Sequence, residues 1–236
     1  MTLLDKTNTL IIIPAYNEQG SIVSVIEETK ATGFPFVVID DGSTDETRYR
    51  AISTGARTIS LPFNAGVGSA LKCGFQYAVN SGYKAVVQCD ADGQHPVEHV
   101  HNLVNEANNS KSNLVVGSRY LNVGAQEDSS SFRRFAMYVL AKIASSMTGK
   151  DVTDSTSGFR LISGQLLTEF SISFPSYYLG DTFESVVVAL RRGHSYSEIG
   201  VKIDVRKFGF STASTTHAVS SIAKVLFAVL VTTKSK

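Results

Sequence analysis

Val86-Val87-Gln88-Cys89-Asp90-Ala91-Asp92-Gly93-Gln94-His95 is an apolar run that passes directly into two aspartates spaced i, i+2. Glycine, an amide and a histidine follow, ahead of Pro96. The run reads as a buried strand, and carboxylates at the carboxyl end of such a strand sit where open α/β sheets take their ligands. Two of them one residue apart can converge on a hard divalent cation, Mg²⁺ or Mn²⁺, which takes oxygen ligands and shares them with substrate phosphates. Asp-Ala-Asp-Gly is equally a good polar turn. The rest of the chain decides between the two.

On either side, strand-like and helix-like segments alternate. Thr9–Pro14 is an apolar β-rich run, and Ser21 is placed to cap a helix carrying Ile22, Val25, Ile26 and Thr29 on one face. Phe36–Ile39 is a second strand, and Asp45–Ser53 a short helix stopped at Gly55. Thr58–Leu61 is a third strand, followed by the loop 64–68 and a helix to Ser81. Lys84–Cys89 is the fourth, Pro96 suits the first turn of the next helix, and Leu114–Gly117 is the fifth strand. This alternation predicts an α/β fold with a mostly parallel central sheet flanked by helices. Gly124–Ser131, polar and serine-rich, reads as a loop over the ligand edge.

Composition narrows the function. A chain of 236 residues, 43% hydrophobic and 18% charged, is long enough for one α/β domain and too apolar for disorder. A net charge of +1 offers no field for nucleic acid. Cys73 and Cys89 sit in apolar patterns, as small buried thiols of a reducing compartment. With no tripartite leader at Met1 and no apolar run of about 20 residues, the expected location is the cytoplasm.

Pro14-Ala15-Tyr16-Asn17-Glu18, Asp40-Asp41-Gly42-Ser43 and Asp90-Ala91-Asp92 each follow a predicted strand. In a parallel sheet those loops share one rim and line one cleft. Acidic side chains crowded there are costly without a cation or hydrogen-bond donors. A nucleoside diphosphate would suit them. Tyr16 offers an aromatic face, or packs beside Pro14. Asp40 or Asp41 accepts from a base or ribose, or caps the next helix. Asp92 and Gln94 are oxygen ligands for the metal, with Asp90 on the ribose or a metal-bound water. Gly66-Val67-Gly68 lacks the third glycine of a dinucleotide fingerprint and is read as allowing a tight approach of loop to sheet. His95 and His99 are spaced i, i+4, but Pro96 makes this a helix entry and not a zinc site.

Six motifs then occur in a familiar order: Pro14–Glu18, Asp40–Asp45, Asn64–Gly68, Asp90–His95, Gly117-Ser118-Arg119-Tyr120 and Asp154-Ser155-Thr156-Ser157-Gly158-Phe159-Arg160. In this the chain resembles glycosyltransferase family 2, within it the dolichyl-phosphate mannose synthase-like branch and related bacterial polysaccharide enzymes. The resemblance spans about residues 8–212. It implies the GT-A fold, a nucleotide-diphospho-sugar donor, a divalent cation and inversion at the anomeric carbon. It places Pro14, Tyr16 and Glu18 in the first nucleotide loop, Asp40 and Asp41 on base and ribose, and Asp90, Ala91, Asp92 and Gln94 in the sugar-nucleotide and metal loop. Arg119, Arg134 and Arg206 match cations that hold phosphates, for which the planar guanidinium fork is suited.

One departure bears on the acceptor. Thr212 stands where the mannose synthases carry a lysine, which shifts the reading toward the polysaccharide enzymes and a lipid-linked or glycan acceptor in cell-envelope synthesis. A polyprenyl-phosphate acceptor is the alternative. An anionic phosphate needs no general base, whereas a sugar hydroxyl does; Asp154, Asp181 and Glu184 are the candidates, unresolved. A sugar-1-phosphate nucleotidyltransferase would want a glycine-rich loop where Pro14–Glu18 stands, and a silent sugar-nucleotide-binding protein would not need the acidic and basic set. The expected division is a glycosyltransferase domain over 1–217, with a nucleotide-sugar half about 8–120 and an acceptor half about 121–217. Residues 218–236 form an apolar helix that caps the core, pairs subunits, or lies on the cytoplasmic face of the inner membrane.

Overall fold

The computed structural model describes residues 2–121, 131–175 and 181–202. Its first half runs β1 (Thr9–Ala15), α1 (Ile22–Thr32), β2 (Phe36–Asp40), α2 (Thr47–Ser53), β3 (Thr58–Ser60), α3 (Val67–Asn80), β4 (Ala85–Gln88), α4 (Val100–Ser110) and β5 (Leu114–Ser118). A 3₁₀ turn over Val97–His99 leads into α4. The second half adds α5 (Ser131–Thr148), β6 (Arg160–Ser163), α6 (Gly164–Ile172), α7 (Asp181–Arg191) and β7 (Tyr196–Gly200).

The seven strands form one sheet in the order β3-β2-β1-β4-β6-β5-β7. All run parallel except β6, which is antiparallel to both neighbours. The carboxyl ends of the six parallel strands therefore share one rim, and β6 begins there. The strand order reverses beside β1, with β2 on one side and β4 on the other, the place where such sheets open a crevice.

Period-two alternation explains the layers. Leu10 and Ile12 face a core shared with Phe75 of α3, Phe170 of α6 and Val186 of α7. Ile11 and Ile13 face the other, with Ile22, Val25 and Ile26 of α1 and Leu103 of α4. Both faces are covered, which is why the strands read as nearly continuous apolar runs. Phe174 meets Phe75 and Phe170 edge-on, with centroids 5.2 and 5.1 Å apart.

Four details depart from the sequence reading. Ser21 occupies the position before α1 without a side-chain capping bond; its hydroxyl donates to Glu18 instead. α2 starts two residues later than expected, because Asp45 Oδ1 accepts from the Thr47 amide and holds the entry as a turn. Gly66 is needed for its backbone angle, φ +88, and a Cβ there would meet nothing. The close approach falls at Gly42 instead, where φ is +68 and a Cβ would lie 2.5 Å from the Phe63 backbone. Strands β6 and β7 have no counterpart in the sequence reading. The loop expected over 124–131 lies outside the described residues apart from Ser131, which opens α5, and 203–236 lie outside them entirely.

Candidate active site

Register brings the three acidic loops together. Ala15 pairs with Asp40, and Ile12 with Gln88, so the loops after β1, β2 and β4 leave neighbouring strands. Strands lie about 4.8 Å apart, so the three exits span roughly 10 Å. Pro14 and Ala15 are buried in β1, while Tyr16 just beyond it is 36% exposed at the rim. The first two loops are laced to each other. Asn17 N donates to Ser43 Oγ at 3.0 Å, Thr44 N to Asn17 Oδ1 at 2.9 Å, and Glu18 N to Thr47 Oγ1 at 2.7 Å.

Asp40 and Asp41 are both buried. Neither caps α2. Asp40 Oδ1 accepts from Ser43 N at 3.2 Å, and Asp41 Oδ1 from Ala65 N at 2.8 Å, which ties the second loop to Asn64–Gly68. These bonds to backbone amides hold both carboxylates in place at the end of β2.

The loop after β4 splits its side chains cleanly. Ala91 is buried among the apolar groups of the α1–α4 face, whereas Asp90 and Asp92 on either side of it are half-buried at the rim. His95 braces this loop from below: its Nδ1 accepts from Asp90 N at 2.9 Å and its Nε2 lies 3.5 Å from Asp90 Oδ2. The imidazole is 8% exposed and packs on Phe159 at 5.4 Å. His99 turns elsewhere, to Asn102. Gln88 Nε2 donates to Asp90 Oδ1 at 3.2 Å, and Gln94 N to Asp92 Oδ1 at 3.0 Å.

Asp90, Asp92 and Gln94 supply hard oxygen donors, which suits Mg²⁺ or Mn²⁺. Among the described residues no three His, Cys, Asp or Glu side chains cluster tightly enough to hold a metal.

Across β6, the same rim carries a second cluster. Arg119, just past β5, meets Asp154 through Nε–Oδ2 at 2.7 Å and Nη2–Oδ1 at 2.8 Å, with Nη2 also 2.6 Å from Thr156 Oγ1. The expected phosphate cation thus has one edge committed to one of the three candidate bases. Burial disfavours charge on Asp154, yet the guanidinium outweighs it and holds the carboxyl below its ordinary value. Arg119 is correspondingly raised, burial opposing and Asp154 prevailing. Glu198 of β7 pins the approach to this pair: it accepts from Thr153 N at 2.9 Å, Thr153 Oγ1 at 2.5 Å, Asp154 N at 3.1 Å and the Tyr196 hydroxyl. Glu184 lies on α7, half-buried, with Oε2 enclosed and without a hydrogen-bond partner among the described residues. Arg134 on α5 and Asp181 at the start of α7 have side chains outside the described residues, as is all of Arg206.

Sequence reasoning passed over Arg160, His95 and Glu198 as site-shaping groups. Arg160 is fully buried, with Nε 3.1 Å from Gln88 Oε1. Its place at the end of the Asp154–Arg160 motif was a usable signal. Glu198, in a half-buried strand, gave none.

Residues 10–170 match the family model described as glycosyl transferase family 2. Polyprenol monophosphomannose synthase of Mycolicibacterium smegmatis is 27% identical over 95% of this chain and 88% of its own. Undecaprenyl-phosphate mannosyltransferase of Micrococcus luteus is 26% identical over 87% of each. UDP-N-acetylglucosamine–dolichyl-phosphate N-acetylglucosaminyltransferase of Methanococcus voltae is 26% identical over 81% of this chain and 84% of its own. Among solved structures, glucosyl-3-phosphoglycerate synthase of Mycobacterium tuberculosis with UDP superposes at a TM-score of 0.70, with 23% identity, covering 93% of this chain and 79% of that one. The same enzyme with Mn²⁺, UDP and product gives 0.69 at 24% identity. At that identity the likeness speaks to the fold.

Proposed function

We propose, from the premise that this chain belongs to glycosyl transferase family 2 and is a glycosyltransferase, that it moves a sugar with inversion from a nucleotide-diphospho-sugar to a lipid-linked phosphate. The observation that carries the donor half is the register placing Asp40 and the Asp90–Asp92 loop on strands flanking β1. Support for the acceptor comes from relatives that span most of the chain and are named for polyprenyl or dolichyl phosphates.

In this reading Tyr16, Asp40 and Asp41 receive the nucleoside, and Pro14, Glu18 and Ala91 shape the loops around it. Asp90, Asp92 and Gln94 would hold the cation, which would supply positive charge to offset the negative charge developing on the leaving diphosphate. The acceptor oxygen attacks the sugar's C1 on the face opposite the leaving group, whose negative charge the arginines help to balance. Arg119 keeps the edge not given to Asp154 for this, with Arg134 and Arg206 as the further cations. A phosphate acceptor arrives anionic, so no proton has to be removed. Asp154 fits that economy: bound to Arg119 and held below its ordinary pKa, it is a poor base and a good anchor. A glycan hydroxyl is the second reading, favoured by Oε2 of Glu184, enclosed and unpartnered among the described residues.

No described helix is long and apolar enough to cross a membrane. A lipid-linked acceptor is held at a membrane, and on that ground we assign attachment at the cytoplasmic surface to 218–236, beyond a catalytic domain ending about 217. Radiolabelled UDP- and GDP-sugars, offered with Mg²⁺ or Mn²⁺ and either undecaprenyl phosphate or an oligosaccharide, test the function. Label should move into the organic phase with the lipid phosphate. Transfer only to the oligosaccharide would favour the second reading, and release of pyrophosphate from a nucleoside triphosphate would overturn both.

A further inference from the structure

Arg160 opens β6, the reversed strand, and is therefore the one strand-initial residue that reaches the ligand rim within this sheet's described strands. It is fully buried and sits in register with Gln88, the last residue of β4. Its Nε donates to Gln88 Oε1 at 3.1 Å; its Nη1 donates to Ser185 Oγ at 2.5 Å and to the Thr182 carbonyl at 3.3 Å. A guanidinium only donates, so the Gln88 amide must turn its oxygen toward Arg160. The amide nitrogen then faces the other way, and there it donates to Asp90 Oδ1 at 3.2 Å. Flipped, the same amide would set oxygen against carboxylate. Arg160 thus decides which end of Gln88 the aspartate sees.

The neighbourhood leaves little slack around that carboxylate. His95 Nε2 lies 3.5 Å from Asp90 Oδ2, and a Cβ on Gly158 would come within 3.0 Å of the same oxygen. Through Nη1 the guanidinium reaches Thr182 and Ser185 near the start of α7, the helix that carries Asp181 and Glu184.

We propose that Arg160 and Gln88 act in series as positioning residues, holding the Asp90 carboxylate in the orientation that binds the cation and donor and keying it to the start of α7. This rests on the reading of Asp90 as part of the metal loop. It assigns a function to the end of the Asp154–Arg160 motif that a packing role alone does not supply.

The experiment titrates the full chain with Mn²⁺, alone and with UDP or GDP, following free Mn²⁺ by electron paramagnetic resonance, with thermal melts in parallel. Gln88→Glu is the discriminating variant: it keeps an acceptor for Arg160 but has no proton to offer Asp90 and repels it. Its melting temperature should hold while Mn²⁺ binding weakens about tenfold, the scale of a lost outer hydrogen-bond partner at a metal site. Arg160→Met and Gln88→Leu should each weaken binding, and the double variant Gln88→Leu/Arg160→Met should be no worse than the more damaging of those two singles, as expected of groups acting in series. Unchanged Mn²⁺ affinity in Gln88→Glu, or additive losses in the double variant, would overturn the proposal. Absence of Mn²⁺ binding by the unmodified chain would instead remove the metal-loop reading beneath it. Should Arg160→Met fail to fold, Gln88→Glu alone decides.

Discussion

Arg119 and Asp154 meet through two parallel hydrogen bonds of 2.7 and 2.8 Å across a gap of 35 residues in sequence. Asp154 is 2% exposed, and the Arg119 backbone amide also donates to it. The pair closes the rim between the end of β5 and the approach to β6, so each residue's contribution to chemistry begins from its bond to the other.

Asp154→Asn should cost about 3–5 kcal/mol, because it leaves a largely buried guanidinium without its counter-charge. The folded carboxyl lies below its ordinary value of 3.8, so its contribution is full above that value and is lost as pH falls further. Urea melts at pH 7 and pH 3 check this: the wild-type chain should lose stability between them, and the variant should lose less.

Asp92→Ala should abolish sugar transfer and leave the melting temperature within a few degrees, since a loop carboxylate at the rim adds little to the core. Turnover assays with and without chelator are the check. Near-normal activity in a folded variant would remove Asp92 from the site.

Gly158→Ala brings a methyl to 3.0 Å from Asp90 Oδ2, 3.1 Å from His95 Cε1 and 3.2 Å from Gln88 Nε2. The Asp90 carboxylate is the group most able to give way. Donor KM should rise several-fold with a smaller change in stability, and donor-dependence kinetics beside a thermal melt would measure both.

Burial and the neighbouring Glu198 raise the Tyr196 phenol far above its ordinary value of 10.0. A raised folded value means stability is complete below pH 10 and lost as pH climbs beyond it. Tyr196→Phe should flatten that alkaline loss while weakening the fold by about 1 kcal/mol at neutral pH through the missing hydrogen bond. Melts from pH 8 to 11 separate the two effects.

A chain ended at Ala218 should lose binding to vesicles containing anionic lipid that the full chain retains. Co-sedimentation measures it. Equal binding by both, or none by either, would assign 218–236 to the core or to a subunit contact.

The rim that gathers the three acidic loops was legible because the loop motifs and the strands before them are contiguous in sequence. Val86 and Val87 must be apolar to enter the sheet, and Asp90 must follow where the sheet ends, so one pattern announced both. Ile11, Ile13 and Ile22 were equally plain as core. The other side hid its geometry in long-range pairing. Nothing local in Arg160-Leu161-Ile162-Ser163 tells that the strand runs backwards, and nothing near Glu198 points to Thr153, 45 residues away. Arg119 and Asp154 were each singled out, but for separate tasks; that they bind one another is a fact of register between β5 and β6. Ser21 misled because the residue preceding the helix had a better partner in Glu18.

The reversed strand has one more effect. β5 leaves the sheet and β6 re-enters it on the same rim, with Val116 beside Arg160, so residues 119–159 form a single excursion tied at its mouth like an outsized hairpin. Altering the length of such an excursion changes its closure entropy only slowly, about 0.6 kcal/mol per doubling, and shifts no strand of β1, β2 or β4. The segment is modular in that sense only where it is loop, because α5 within it is held in the core through Leu140 and Ala144.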